Sequence, residues 1–110
     1  MQISARRHDT ATIFDVSGEI DFANSPEVRQ SVLREIRKSG TARVIVNLRQ
    51  VRYIDSSGVA SLIEGLKASR ELGSRFILIG LSTSAREVLQ LSRLIKAFEI
   101  YDNEGQALAT

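Results

Sequence analysis

A chain of 110 residues with 43% hydrophobic and 25% charged residues has the size and balance of one globular domain, so a single domain over 1–110 is expected. Fifteen Lys and Arg against thirteen Asp and Glu leave a formal charge of only +2. The basic residues are dispersed in groups such as Arg6-Arg7 and Arg34 to Lys38, and aromatics are 5%, which argues against a nucleic-acid binder.

Without cysteine there is no disulfide framework and no thiolate metal site, and the lone histidine, His8, cannot build a histidine cluster. A core that uses most of the apolar side chains also leaves little for an enclosed substrate pocket. The segment Met1 to His8 lacks the apolar stretch of a secretory signal, and the longest apolar run, Phe76 to Leu81, is too short to cross a bilayer. A cytoplasmic domain that does not insert in a membrane is the expectation.

In chain order, residues 2 to 7 and 11 to 17 alternate as strands do, with Ile3 and Ala5 on one side of the first and Thr12, Phe14 and Val16 on one side of the second. His8-Asp9-Thr10 supplies a polar turn, so an antiparallel hairpin with one buried face is predicted. After Gly18-Glu19-Ile20-Asp21, the run Asn24-Ser25-Pro26-Glu27 reads as a helix start, with Ser25 as cap and Pro26 in the first helical position. Val28, Val32, Leu33 and Ile36 mark its apolar face, and Ser39-Gly40 its end.

Val44 to Leu48 and Phe76 to Gly80 are short apolar runs rich in β-branched residues, the pattern of central strands buried on both faces. Between them, from Ser57 to Leu72, Val59, Leu62, Ile63 and Leu66 recur at i, i+3, i+4 and i+7, and Gly73 marks the stop. Ser84 and Glu87 have capping-box spacing ahead of a helix carrying Val88, Leu89 and Ser92, with Leu94 and Ile95 completing its packing. Ala97 to Tyr101 reads as a final strand and Glu104 to Ala109 as a short terminal helix. Strand-helix-strand crossovers require parallel pairing, so the fold class is α/β, with a mixed β-sheet of about five strands and about four helices.

Chemistry concentrates where the strand-like segment Val51-Arg52-Tyr53-Ile54 meets the helix beginning near Ser57. Asp55, Ser56 and Ser57 crowd this junction, and the unpartnered N–H groups and dipole of a helix start favour negative charge there. Asp and Ser are also preferred caps, so spacing alone reads first as an ordinary helix start.

Asn47-Leu48 followed by Tyr53-Ile54-Asp55-Ser56-Ser57-Gly58-Val59-Ala60 resembles the signature of the STAS domain, the sulfate transporter and anti-sigma factor antagonist family. Gly18-Glu19-Ile20-Asp21 resembles the segment after that family's second strand. Val88-Leu89 with Ser92-Arg93-Leu94-Ile95 and Phe98 resembles its third-helix region, so the likeness spans nearly the whole chain.

Resemblance to the bacterial anti-sigma factor antagonists implies that Ser56, the first hydroxyl residue after the Asp, is phosphorylated by a partner serine kinase that is also the anti-sigma factor. It implies further that a phosphatase acts on phosphorylated Ser56, and that the unphosphorylated form binds the anti-sigma factor and releases the sigma factor. Ser57 is the lesser acceptor candidate. Asp55 either caps the helix or orients the Ser56 hydroxyl while the kinase supplies ATP, magnesium and the catalytic base. Gly58 either lets a partner approach or is a small first-turn residue, and Asp21 is either a neighbour of the site or a loop residue. No cofactor or metal is implied.

The same resemblance admits a phosphorylation-independent STAS module that docks on the ATPase of a lipid-transport ABC assembly or joins a larger signalling complex. A hydrolase with Ser56 or Ser57 as nucleophile is disfavoured, because Ile54 and Asp55 stand where a Gly-x-Ser-x-Gly elbow needs glycine and only His8 could serve as histidine base. The scattered glycines form no phosphate-binding loop.

Overall fold

The computed structural model describes residues 1–38 and 41–110, so the predicted helix stop at Ser39-Gly40 lies outside the described residues. The elements are β1 (Gln2–His8), β2 (Ala11–Ile20), α1 (Ser25–Lys38), β3 (Arg43–Ile54), α2 (Ser56–Glu71), β4 (Arg75–Ile79), α3 (Thr83–Leu91), a 3-10 turn (Ile95–Ala97), β5 (Glu99–Tyr101) and α4 (Glu104–Leu108). The sheet order is β1-β2-β3-β4-β5. The hairpin β1–β2 is antiparallel and every later pairing is parallel, which is the mixed α/β sheet expected.

Each crossover advances one strand in the same direction, and parallel crossovers are right-handed, so α1, α2 and α3 all fall on one face. Strand alternation then sorts the core. Phe14, Val16, Val44, Val46, Leu48, Phe76 and Leu78 point toward those helices, where Val28, Val32, Leu62, Leu66 and Leu89 meet them. Ala11, Ile13, Ile45, Ile77 and Ile79 point the other way and are covered by Ala107 of α4. The apolar runs of β3 and β4 are thus buried on both sides, as their lack of polar alternation predicts.

Four local expectations are corrected. The hairpin is not a ribbon with one buried face: Ala11, Thr12, Ile13 and Phe14 are all buried, because β2 lies inside the sheet, with β3 on its other edge and α4 beneath it. On the edge strand β1, Ala5 is exposed and Ile3 only partly covered. Helix α1 begins at Ser25, not Pro26, and the Asn24 carbonyl accepts from the Glu27 and Val28 N–H groups. The cap of α3 is Ser82, not Ser84: its extended backbone turns its hydroxyl to accept the Ala85 N–H at 3.1 Å. The last strand is shorter than expected, because residues Ile95–Ala97 form the 3-10 turn that precedes it.

Candidate functional site

The carboxyl ends of β2 and β3 lie side by side, with Ile20 paired to Ile54, and both chains turn there into helices. Asp55 joins the two turns. Its own N–H donates to the Ile20 carbonyl at 3.2 Å, and its carbonyl accepts the Val59 N–H at 3.0 Å. Its side chain is bidentate: Oδ1 accepts the Gly58 N–H at 3.0 Å and Oδ2 accepts the Phe22 N–H at 3.1 Å. Asp55 therefore caps α2 and also docks the β2–α1 loop on the start of that helix. Both carboxylate oxygens are occupied by backbone donors, so capping is the role its geometry displays.

Ser56, Ser57 and Gly58 fill the first turn and diverge in environment. Ser56 is exposed, Ser57 is half-buried and Gly58 is buried. Ser56 lines a shallow hollow with Val59, Ile63, Ser92 and Leu94, on the α3 side of α2. Ser57 lines a separate hollow with Phe22, Pro26, Arg29 and Ser61, on the α1 side. A Cβ on Gly58 would lie 2.6 Å from Ile54 Cγ1 and 2.9 Å from the Ile20 carbonyl oxygen. The close approach that Gly58 permits is therefore that of α2 to the sheet, which holds the two serines at the rim.

Asp21 serves its own loop. Its Oδ1 accepts from the Ala23 N–H at 3.0 Å and the Asn24 N–H at 3.2 Å, and its N–H donates to Asn24 Oδ1 at 2.9 Å. Its link to the Ser56 region runs through the next residue, Phe22, whose N–H is held by Asp55. Sequence reading passed over Phe22, a residue 81% exposed that lines the Ser57 hollow. The available signal was a lone aromatic in a segment otherwise made of turn residues.

The carboxylates whose proton affinity shifts lie elsewhere, on the α4 side. Hydrogen bonds from the Arg6 guanidinium hold Asp15 and Glu104 below the usual carboxylate range. His8 closes β1 at the β1–β2 turn, with the Asp9 carboxylate 3.8 Å from its ring Nε2. Among the described residues no group of three His, Cys, Asp or Glu side chains converges as a metal would need, and no helix is long and apolar enough to cross a membrane.

Residues 2–107 match the family model described as STAS domain. The anti-sigma F factor antagonist of Paenibacillus polymyxa is 28% identical over 108 residues, covering 98% of this chain and 92% of that protein. The anti-sigma-B factor antagonist of Staphylococcus aureus is 31% identical over 90 residues, covering 82% of this chain and 81% of that one. Among solved structures, the anti-sigma factor antagonist SpoIIAA in its unphosphorylated form has the same fold, with a TM-score of 0.83 and 21% identity over 97% of this chain and 93% of that chain. SpoIIAA, the Bacillus cell fate determinant, in its phosphorylated form has a TM-score of 0.75 and 21% identity over 98% and 97%.

Proposed function

The chain belongs to the STAS domain family, and from that membership we propose that it is an anti-sigma factor antagonist whose switch is Ser56. Unphosphorylated, the whole of 1–110 acts as one cytoplasmic binding module that captures an anti-sigma factor and frees the sigma factor. The captured partner is itself a serine kinase that phosphorylates Ser56 and so ends the binding, and a phosphatase resets the switch. The kinase supplies ATP, magnesium and the base, and this chain catalyses nothing.

The observation that carries this reading is the exposure of Ser56 at the first position of α2, beside a less accessible Ser57 and a buried Gly58. Phosphate adds about −1.5 to −2 charges and three strong acceptors. A helix N-terminus accommodates them, and Asp55 already supplies the cap, so the fold has no need of the phosphate. The added charge acts at the surface, by repelling or resisting desolvation against a docking partner.

The test is incubation with the cognate anti-sigma kinase, followed by site mapping and titration. Mass spectrometry is expected to place the phosphate on Ser56; Ser56→Ala stays in the binding form and Ser56→Asp binds poorly. Equal affinity of the two variants would sink the proposal. No acceptor serine for any serine kinase, together with co-purification of a transporter ATPase, would replace it with the phosphorylation-independent module.

A further inference from the structure

Helices α2 and α3 end in the same turn. After α2, the Ser74 N–H donates to the Ser69 carbonyl at 2.8 Å and the Gly73 N–H to the Arg70 carbonyl at 3.2 Å. After α3, the Leu94 N–H donates to the Leu89 carbonyl at 2.8 Å and the Arg93 N–H to the Gln90 carbonyl at 3.0 Å. This paired-bond ending places the residue just beyond the helix in the left-handed region. There φ is +75° at Gly73 and +60° at Arg93. Glycine adopts that conformation freely, whereas the Cβ of arginine is crowded by the following carbonyl. Among the described residues the other non-glycine residue with positive φ, Asp9 at +52°, is of a type that visits this region readily.

Two residues before Arg93, Leu91 is 86% exposed, while Ala85 and Leu89 of the same helix fill the core. A single exposed leucine is ordinary. Here it adjoins a strained arginine, and Ser92 and Leu94, which alternate with the pair, line the hollow that Ser56 lines. Among the described residues no carboxylate lies within ion-pair distance of Arg93.

We infer that the Leu91–Arg93 corner is a second contact of the docking surface at Ser56, with Leu91 entering an apolar recess of the anti-sigma factor and Arg93 pairing with a carboxylate there. This rests on the reading given under Proposed function. Arginine is among the residues from which interface anchors are built, and a guanidinium matches a carboxylate bidentately, while the exposed leucine beside it adds apolar contact area. An acidic partner patch also accounts for the sign of the switch, because phosphate on Ser56 would repel the carboxylate that Arg93 attracts.

The test is to make Arg93→Gly and Leu91→Gln in the full chain, then measure the melting temperature of the unphosphorylated proteins and their calorimetric affinity for the anti-sigma kinase. Arg93→Gly is expected to raise the melting temperature by about 4 °C as the turn relaxes, while weakening binding at least about tenfold. Leu91→Gln is expected to weaken binding comparably without unfolding. A stabilised Arg93→Gly protein that binds as tightly as wild type overturns the inference. So does an Arg93→Gly protein that melts earlier, since the arginine would then be serving its own helix end. Wild-type binding with unaffected variants removes only this corner, whereas a folded wild type that ignores the kinase removes the antagonist reading itself.

Discussion

The two faces of the sheet are held by different means. On one, three helices bury a broad apolar core running from Phe14 and Val28 to Leu89 and Phe98. On the other, the five-residue α4 contributes one buried side chain, Ala107, over Ile13, Ile45, Ile77 and Ile79. Ion pairs rim that smaller core: Arg6 is shared by Asp15 and Glu104, and Arg75 binds Glu99, which also accepts the Tyr101 hydroxyl at 2.8 Å. A wide apolar face needs no charged fastening at its edge, which leaves the start of α2 free to present hydroxyls. The candidate switch thus lies on the face stabilised mainly by burial, where adding charge at the rim disturbs little of what holds the fold together.

The largest test of this contrast is Ile77→Ala, because Ile77 is fully buried in the smaller core. A loss of about 3 kcal/mol in urea unfolding is expected, and a loss near zero would mean that α4 merely rests on the sheet. Gly58→Ala follows on the opposite face at about 2 kcal/mol, since the new Cβ meets the Ile20 backbone as well as the Ile54 side chain. Asp55→Ala is expected to cost about 1 kcal/mol by uncapping α2. Hydrogen exchange sharpens that case, because the Gly58 and Phe22 amides should both exchange faster when their shared acceptor is removed.

Acid is expected to act on the α4 face. The hydrogen bonds from Arg6 lower the proton affinity of Asp15 and Glu104 in the folded chain, so the unfolded chain binds more protons as pH falls. Their contribution is fully present above the unfolded values, about 3.9 and 4.3, and is lost as pH falls through the lower folded values. The Asp15 and Glu104 side chains are 36% and 33% exposed, so solvent screening keeps the effect under about 1 kcal/mol. Melting curves at pH 7, 5 and 3 should show it only in the last step, and Glu104→Gln should remove Glu104's share of the slope. The smallest effect is expected at the candidate switch: Ser56→Ala should stay within about 0.5 kcal/mol of wild type, separating any loss of phosphorylation from loss of fold.

Apolar spacing located the elements because it records which side of each segment meets a core. Val59, Leu62, Ile63 and Leu66 identify α2 without any knowledge of its neighbours, and the unbroken apolar runs of β3 and β4 already require cover on both faces. The α2 start could be read the same way, since Asp, Ser and Gly after a strand are local preferences. Competing local signals were less informative. Ser82 and Ser84 both suit a cap, and the direction of the chain leaving β4 selects Ser82.

For Ser56, sequence order supplied its place at the first turn of a helix and, through the family resemblance, its candidacy as a phosphate acceptor. Its exposure, the separation of its hollow from that of Ser57, and the double duty of Asp55 depend on how α2 seats against β2 and β3. Gly58 sets that seating through contacts with Ile20 and Ile54, and Phe22 reaches Asp55 across 33 positions of sequence. Local propensity is encoded residue by residue, whereas contacts between segments far apart in the chain exist only once the sheet has brought those segments together.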